Sequence, residues 1–416
     1  MTPVGGTAGP PRALGPCQAD PPVRLFEPVR LGPLTLKNRT VRAAAFEGMA
    51  AGHAVTDALV DYHRAVAEGG VGMTTVAYAA VEQSGLSFPH QLWLRPEAVP
   101  GLRRLVDAVH AAGARASIQL GHCGNMAKAE VAGGRALAPS ARFNLYGPVL
   151  PRAMTADDLA RVTQSFAAAV GLAREAGFDA VEVHAGHGYL ISQFLSPWTN
   201  RRRDAYGGPL ENRMRFMREV MGAVRRAAGA DLAVLVKTNL RDGFEGGMEL
   251  DEGLEVARAL EAEGADALVL SGGFVSRAPM YIMRGPMPMH EMSRRMKPWW
   301  MKAFAGTFGG MLVPEVPYAD HYFLEDAVRA RAVLKLPLIY VGGVASYAAA
   351  SAVLARGFEA IAMARALIRE PDFVRRLEAE ERAGLGTGSR CDHCNVCAAR
   401  IYTTSMACHH WPKVEG

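Results

Sequence analysis

The chain has 416 residues, of which 50% are hydrophobic and 21% are charged, so it has enough apolar sequence for a large buried core. Its formal net charge is only +5, and its basic residues are scattered rather than interleaved with aromatic residues, which argues against nucleic-acid binding. No apolar run reaches the ~20 residues that a membrane helix needs. Residues 1–22 are rich in Pro and Gly and lack the pattern of a signal peptide, so we expect a disordered tail on a cytoplasmic protein.

Eight short apolar runs recur along the rest of the chain, and each is followed by a segment with helical periodicity. The runs cover residues 40–46, 71–78, 114–120, 179–185, 232–239, 265–273, 337–343 and 359–366. Several are apolar nearly throughout, as expected for strands buried on both faces. Eight strand–helix units predict an α/β fold, a (β/α)8 TIM barrel over residues 23–385. A doubly wound open sheet fits less well, because no GxGxxG turn follows the first run.

Polar residues or glycines stand where several of these runs end. Gln119, His184 and Lys237 end the third, fourth and fifth runs, and a pair of glycines ends the seventh. In a barrel these ends converge on one face, where active sites form. We therefore expect these residues to line one site.

A long segment between the sixth and seventh runs, residues 280–311, holds eight of the 19 methionines together with Trp299 and Trp300. It is too long for a plain connection. Flexible Met side chains adapt to apolar ligands, which favours a cap over the site. An insert that serves core packing or subunit contact is the alternative.

The stretch VEVHAGHGYL brings His184, His187 and Tyr189 close together in the chain. The HxxH spacing is compatible with zinc, but no third ligand stands nearby in sequence. An acid–base pair, a substrate clamp and ordinary core residues are the other interpretations. A phenol keeps its proton at neutral pH and can donate it during a reaction.

Four cysteines lie near the end of the chain, in the segment 386–416, which we expect to form a Cys-rich extension. Cys391, Cys394, Cys397 and Cys408 follow the spacing C-x2-C-x2-C-x10-C. Three closely spaced cysteines and one distant one favour a [4Fe–4S] cluster. Structural zinc, held by the four thiolates or with His409 or His410 in place of one of them, is the alternative, and a site without metal is the third.

Taken together, these motifs resemble the old yellow enzyme, or NADH:flavin oxidoreductase, family of FMN-dependent enzymes. The matching stretches are LFEPVRLGPLTLKNR (25–39), IQLGHCG (118–124), VEVHAGHGYLISQFLSPWTNRRRDAYGG (181–208), ENR (211–213) and ARALIREP (364–371). The cysteine segment is most similar to those of trimethylamine dehydrogenase and 2,4-dienoyl-CoA reductase, whose barrel domains carry an iron–sulfur cluster beside FMN.

The resemblance implies one FMN at the C-terminal mouth of the barrel. Gln119 would hydrogen-bond the pyrimidine edge of the flavin, and Lys237 would place a cation where many relatives have Arg. The backbone of the last glycine pair and Arg365 would hold the phosphate. The complete set of residues that the resemblance places at the cofactor is Ala44, Ala45, Phe46, Tyr78, Gln119, Lys237, Gly342, Gly343, Ala364 and Arg365.

The chain also departs from the family pattern. Ala44, Ala45 and Phe46 replace a segment in which relatives carry Pro and a Thr or Cys that tunes the flavin. Tyr78 stands where a small residue is usual, and Ala364 stands where Gly usually precedes the phosphate-binding Arg. The change at residues 44–46 indicates an altered flavin potential and substrate range, and Tyr78 indicates a narrower pocket or a contact with the substrate. The methyl group of Ala364 is a small change that leaves the phosphate assignment in place.

His184 and His187 resemble the pair that binds an electron-withdrawing oxygen of the substrate, and Tyr189 resembles the proton donor. We therefore expect an FMN-dependent enzyme that uses NAD(P)H to reduce an activated C=C bond, with hydride from flavin N5 and a proton from Tyr189. The substrate would be a small, apolar, unsaturated molecule, and the protein a homo-oligomer. A dehydrogenase that passes electrons through an Fe–S cluster to a separate protein is one alternative, and a non-catalytic flavin electron carrier is another.

Overall fold

The fold of the chain is seen in a computed structural model that describes residues 24–144, 149–288, 291, 315–383, 386–402 and 404–411. The expectations for the tail over residues 1–22 and for most of the Met-rich segment, including Trp299 and Trp300, lie outside the described residues. Within the described part of the chain, no helix is both long and apolar enough to cross a membrane.

Eight parallel strands close into a barrel in which neighbouring strands follow the order of the chain and the last strand pairs with the first. Each lies within one of the eight apolar runs or overlaps it, and all are buried along most of their length, so the (β/α)8 prediction is confirmed. The barrel strands are β3 Thr40–Arg42, β4 Met73–Ala80, β5 Arg115–Gly121, β8 Ala180–Ala185, β9 Ala233–Asn239, β10 Ala267–Ser271, β11 Leu338–Val341 and β12 Ala360–Met363.

Helices surround the barrel, and local caps mark the ends of several of them. In the longest helix, Thr155 and Asp158 form a capping box at the start, and Gly177 ends it with φ of 92°. The α-helices are α1 Asp57–Glu68, α2 Val99–Ala111, α3 Ala129–Ala132, α4 Ala156–Ala176, α5 Leu190–Leu195, α6 Leu210–Ala228, α7 Leu250–Ala262, α8 Pro279–Met283, α9 Leu324–Arg331, α10 Tyr347–Leu354, α11 Arg365–Arg369, α12 Phe373–Ala383 and α13 Val396–Arg400.

A small antiparallel hairpin covers the N-terminal end of the barrel. Its strands are β1 Val29–Leu31 and β2 Leu34–Leu36, and a two-stranded parallel pair, β6 Leu137–Ala138 and β7 Arg152–Ala153, lies elsewhere. The apolar side chains of the hairpin are packed against the first residues of several barrel strands. The hairpin therefore fills one end of the barrel and leaves the C-terminal face for a ligand.

The Cys-rich extension packs against loops at that open face. The backbone N–H of Met406 donates to the carbonyl of Glu47 at 2.7 Å, and His90 Nε2 lies 2.8 Å from the carbonyl oxygen of Ile401. Both barrel residues lie in loops that follow strands, so the extension adjoins the region where the predicted site residues gather.

Candidate active site

The HAGHGY stretch forms a tight turn at the end of β8. His187 and Gly188 both have left-handed backbone conformations, with φ of 59° and 77°. A Cβ at Gly188 would lie 2.5 Å from the ring of Phe274, so the turn requires glycine there. The turn ends at Tyr189, which directly precedes α5. It thus brings both histidines and the tyrosine onto one wall.

The two histidines lie edge to face, with ring centroids 5.2 Å apart, and His184 lies 4.3 Å from the ring of Tyr189. Burial, together with the nearby charge of Lys237, lowers the pKa of His187 to about 3. Burial, then His187 and Lys237, lowers the pKa of His184 well below its usual value. Both imidazoles are therefore neutral near pH 7 and can act as hydrogen-bond donors without carrying charge.

Hydrogen bonds indicate the tautomer of one ring and the position of the other. The backbone N–H of Gly186 donates to Nδ1 of His184 at 3.4 Å, which leaves the ring proton on Nε2. Nε2 of His187 lies 2.8 Å from the hydroxyl of Ser271, at the end of β10. Ser271 was not identified from the sequence, because its contact with His187 joins residues 84 positions apart.

Tyr189 stands beside a second tyrosine. The rings of Tyr78 and Tyr189 lie edge to face at 4.9 Å, and the Tyr78 hydroxyl lies 2.5 Å from that of Ser87. Burial is the main cause that raises the pKa of both phenols above the usual value for Tyr. Both therefore keep their protons at neutral pH, and Tyr189 can donate its proton during a reaction.

A buried charged group lies next to this wall. Lys237 Nζ lies 3.0 Å from Oε1 of Glu182, and the same oxygen accepts a hydrogen bond from Gln119 at 2.6 Å. Glu182 is 2% exposed and was not identified from the sequence, although it precedes His184 by two positions on the same strand. Alternate residues of a strand point to the same side, so the two-residue spacing from His184 could have predicted that Glu182 faces the site. The Lys237 cation is thus paired with a carboxylate.

The segment Ala44–Phe46, which differs from the family pattern, follows β3 and is half-buried. The Ala44 carbonyl accepts from Lys237 Nζ at 3.4 Å, and the Phe46 ring lies 6.0 Å from that of Tyr78. These contacts bring the segment to the same site as Lys237 and the two tyrosines.

A buried ionic network around Glu47 supports the segment Ala44–Phe46, which directly precedes this residue. Glu47 lies 2.7 Å from Arg42 and 3.3 Å from His63, and it accepts hydrogen bonds from the Ala77 backbone N–H. The sequence reasoning missed Glu47, because its partners come from β3, α1 and β4. The network fixes the loop that the resemblance places against the flavin.

The predicted phosphate-binding residues lie at the ends of β11 and β12. Gly342 and Gly343 have φ of 134° and 70°, and a Cβ on Gly343 would lie 2.6 Å from the carbonyl oxygen of Ala319. Ala364 directly precedes α11, and Arg365 is its first residue. The two glycines and the guanidinium are half-buried or buried at the open end of the barrel.

Asn395, from the cysteine segment, holds Arg365 in place. Its Oδ1 accepts from Arg365 Nη1 at 2.8 Å, while its Nδ2 donates to the carbonyl oxygens of Arg284 and Pro286, each at 2.9 Å. Asn395 is 1% exposed and has φ of 59°. It connects the extension to the predicted phosphate site.

The residues at this face suit FMN. A backbone segment restricted to glycine and a nearby guanidinium match a phosphate. A glutamine amide and a buried lysine match the polar edge of a flavin ring, and neutral imidazoles with a protonated phenol leave a donor-rich wall for a substrate. The cofactor implied by the sequence resemblance therefore has a compatible set of groups.

The four C-terminal cysteines line one small cavity, together with Asn395, His409 and Arg365. They are unbridged thiols in the described part of the chain, and Cys394 Sγ lies 3.4 Å from Nδ1 of His409. Asp392, His409 and His410 form a further group, with potential ligand atoms within 4.8 Å of one another. The predicted ligands are thus brought together, and the donor set is rich in sulfur.

Comparison with known proteins places this geometry in context. The family model described as NADH:flavin oxidoreductase / NADH oxidase matches residues 24–297. The chain is 43% identical to the 4,4′-dithiodibutanoate disulfide reductase of Rhodococcus erythropolis, over 92% of this chain and 94% of the relative.

Two solved structures are also similar. The old yellow enzyme homologue of Zymomonas mobilis is 26% identical with a TM-score of 0.67, covering 86% of this chain and 93% of that one. A 2-naphthoyl-CoA reductase, solved with 2-naphthoyl-CoA, is 25% identical with a TM-score of 0.78. The similarity covers 92% of this chain but only 56% of the latter protein.

Proposed function

This chain belongs to the NADH:flavin oxidoreductase / NADH oxidase family of FMN-dependent enzymes, and on that premise we propose that it reduces an activated carbon–carbon double bond with electrons from NAD(P)H. The observation that carries the proposal is the wall formed by His184, His187 and Tyr189, in which two neutral imidazoles stand beside a protonated phenol. This is the arrangement that an enone requires, because its oxygen needs donors and its α-carbon needs a proton.

Gln119, Lys237, the Gly342–Gly343 backbone and Arg365 would hold the cofactor. When bound there, FMN supplies the hydride chemistry that connects NAD(P)H with the substrate. Glu182 balances the charge of Lys237, so the cation is fixed without leaving an isolated buried charge.

The histidines orient the substrate, and Tyr189 moves the proton. The N–H of His184 donates to the carbonyl oxygen and polarises the double bond. Reduction adds a hydride to the β-carbon and a proton to the α-carbon, and the proton comes from the Tyr189 hydroxyl. The resulting phenolate regains a proton from solvent, so the net reaction consumes NAD(P)H and one proton for each bond reduced.

Anaerobic mixing of the purified enzyme tests this proposal. NADPH or NADH should bleach the flavin absorbance, and cyclohex-2-enone or cinnamaldehyde should then restore it with formation of the saturated carbonyl compound. If no member of a panel of enones, enals and enoyl thioesters restores the absorbance faster than buffer, the double-bond proposal is wrong.

A disulfide is the second candidate substrate, because the Rhodococcus erythropolis relative is named for 4,4′-dithiodibutanoate and matches nearly the whole chain. The groups proposed for double-bond reduction are also sufficient to reduce a disulfide. Hydride addition at one sulfur breaks the S–S bond, and Tyr189 protonates the departing thiolate, giving two thiols for each NAD(P)H consumed. Mixing the pre-reduced enzyme with 4,4′-dithiodibutanoate, followed by thiol titration, distinguishes this substrate from the enones.

We further propose that Cys391, Cys394, Cys397 and Cys408 hold a [4Fe–4S] cluster. Their convergence on one cavity as unbridged thiols supports it, as does the spacing of the motif. Thiolates would carry the metal, and the cluster would supply one-electron transfer. Iron and acid-labile sulfide in equal amounts, about four of each per chain, are expected. One zinc per chain without sulfide would instead support the structural alternative.

With a cluster, the chain is also suited to exchange electrons with a separate protein. Oxidation of an amine with electron transfer through the cluster is therefore a further alternative. Bleaching of the flavin by amines in the absence of NAD(P)H would favour it. We expect a homo-oligomer in the cytoplasm, and sedimentation of the holoenzyme tests the oligomeric state.

A further inference from the structure

Two arginines from separate loops of the open face lie against one tryptophan, and a third arginine lies in the loop that carries this tryptophan. The guanidinium of Arg142 lies 4.1 Å from the ring centroid of Trp198, and that of Arg277 lies 5.4 Å from it. Arg201 follows Trp198 by three residues, and its backbone N–H donates to the hydroxyl of Ser140 at 2.9 Å, two residues before Arg142. In keeping with this proximity, the charges of Arg201 and Arg277, after burial, lower the pKa of Arg142. We refer to Arg142, Arg201 and Arg277 as the arginine cluster.

The arginine cluster has no acidic counterpart. Arg142 donates to the carbonyl oxygen of Trp198 at 2.7 Å, and no ion pair joins any of the three to a carboxylate within the described residues. Most other arginines near the barrel ends are paired, as Arg241 is with Asp326 at 2.7 Å. Three unneutralised cations repel one another, and this repulsion is relieved when an anion binds.

The cluster stands next to the catalytic wall. Phe274 pairs with His187 in a parallel bridge, and the backbone N–H of Val275 donates to the His187 carbonyl at 3.0 Å. Val275 packs in the same apolar group as Tyr189. Arg277 follows two residues later, and the ring of Trp198 lies 6.4 Å from that of Phe274. A molecule that reaches Tyr189 past this side of the mouth would meet the arginine cluster.

The geometry also leaves the arginines free to bind. Stacking on the indole uses the flat face of a guanidinium, so its N–H edges remain available for an anion. Arg201 and Arg277 are exposed, and the neighbouring Phe143 is 50% exposed, so the site combines positive charge with an apolar surface. This combination suits an organic anion better than an inorganic one.

We propose that the arginine cluster is an anion-binding site that selects substrates carrying a carboxylate or phosphate group remote from the reducible bond. The assignment of that anion to the reducible substrate rests on the proposed function. The binding of an organic anion at the cluster does not depend on it.

The test compares matched ligand pairs on the oxidised holoenzyme by isothermal titration calorimetry, without NAD(P)H, so that no turnover is needed. 4-Carboxycinnamaldehyde is compared with cinnamaldehyde, and crotonyl-CoA with S-crotonyl-N-acetylcysteamine, which separates carboxylate from phosphate recognition. The variants are Arg277→Gln, Arg201→Gln and Arg142→Gln. Arg277→Lys keeps the charge, and Arg258→Gln removes a remote exposed charge on α7 that pairs with Glu255.

Each Gln variant should weaken at least one anionic ligand by about tenfold and change its neutral partner by less than about twofold. Arg277→Lys should keep most of the affinity, and Arg258→Gln should resemble the wild type. The preference of the wild type for the anionic ligand should fall with added salt. Thermal melting identifies any variant that fails to fold, and the exposed Arg201 and Arg277 keep the test valid if Arg142→Gln does so.

Equal losses for both members of each pair, or no loss for either anion, would overturn the proposal. A loss confined to NADP⁺ relative to NAD⁺, titrated in the same way, would also overturn it, because the anion would then belong to the dinucleotide. A wild type that binds the anionic ligands selectively but reduces none of them would support the anion site and refute the double-bond function, so the two failures remain distinguishable.

Discussion

Individual residues of the catalytic wall carry properties that the sequence alone does not show. His187 is neutral because it is buried near Lys237, and its pKa of about 3 lies far below the usual value of 6.5. The unfolded chain therefore binds more protons than the folded one between these two values. Stability from this residue is fully present above pH 6.5 and is lost as the pH falls towards 3.

The variant His187→Asn tests this linkage. In the wild type, His187 should contribute a decline in the free energy of unfolding of up to about 1.4 kcal/mol per pH unit below pH 6.5. The variant should lose that part of the slope. The difference in the free energy of unfolding between variant and wild type should therefore be more favourable to the variant at pH 5 than at pH 7. Urea unfolding at both pH values measures the difference. A variant with the wild-type slope would show that His187 is protonated in the folded enzyme.

Glu182 is expected to be the strongest electrostatic support of Lys237. The substitution Glu182→Gln leaves the buried ammonium group without its carboxylate and should lower the free energy of unfolding by about 3 kcal/mol. The half-buried pair of Arg218 and Glu263 provides the control, because Glu263→Gln should cost about 1 kcal/mol or less. Urea unfolding with excess FMN measures both. Equal losses would show that the buried pair has no special role.

Among the structural elements, the C-terminal extension is the one whose contacts reach furthest into the site. Asn395 lies between the second and third cysteines of the motif and accepts a hydrogen bond from Arg365 of the predicted phosphate site. Occupation of the cysteine site by a metal would fix the loop that carries Asn395. We therefore expect the cysteine segment and the phosphate site to depend on each other.

The variant Asn395→Ala removes the acceptor of Arg365 Nη1 and should weaken FMN binding by about tenfold. Asn212→Ala is the matched control, because the Asn212 amide donates to the carbonyl oxygen of Gly207 at 3.1 Å rather than to Arg365. Flavin fluorescence during reconstitution of the apoprotein measures the affinity. Unchanged affinity in Asn395→Ala, with cysteine ligands intact, would remove the link between the extension and the phosphate.

The elements differ in how far they could be predicted. The barrel strands follow from local apolar runs, so the sequence is sufficient for them, and local caps mark some of the helix ends, such as those at Thr155 and Gly177. The sequence does not predict the roles of Glu47, Glu182 and Asn395. Their partners lie on other strands or in other segments, and no local pattern reveals such contacts. The histidines and Tyr189 were found because one turn contains all three.

At the scale of the whole molecule, the hairpin closes the N-terminal end of the barrel, and every predicted site residue outside the cysteine segment lies towards the other end. The predicted membership of the FMN-dependent family is confirmed by the match over residues 24–297 and by the Rhodococcus erythropolis relative. The roles of the single residues stay predictions. On our proposal that the arginine cluster binds an anion, the preferred substrate carries an acidic group that a simple neutral enone lacks.

The central claim is that Tyr189 supplies the proton during substrate reduction. Stopped-flow mixing of the Tyr189→Phe variant measures this most directly, because it separates flavin reduction by NAD(P)H from reoxidation by the substrate. We predict an unchanged rate of the first step and a loss of about 100-fold or more in the second. Reoxidation by the enone at the wild-type rate would contradict the account.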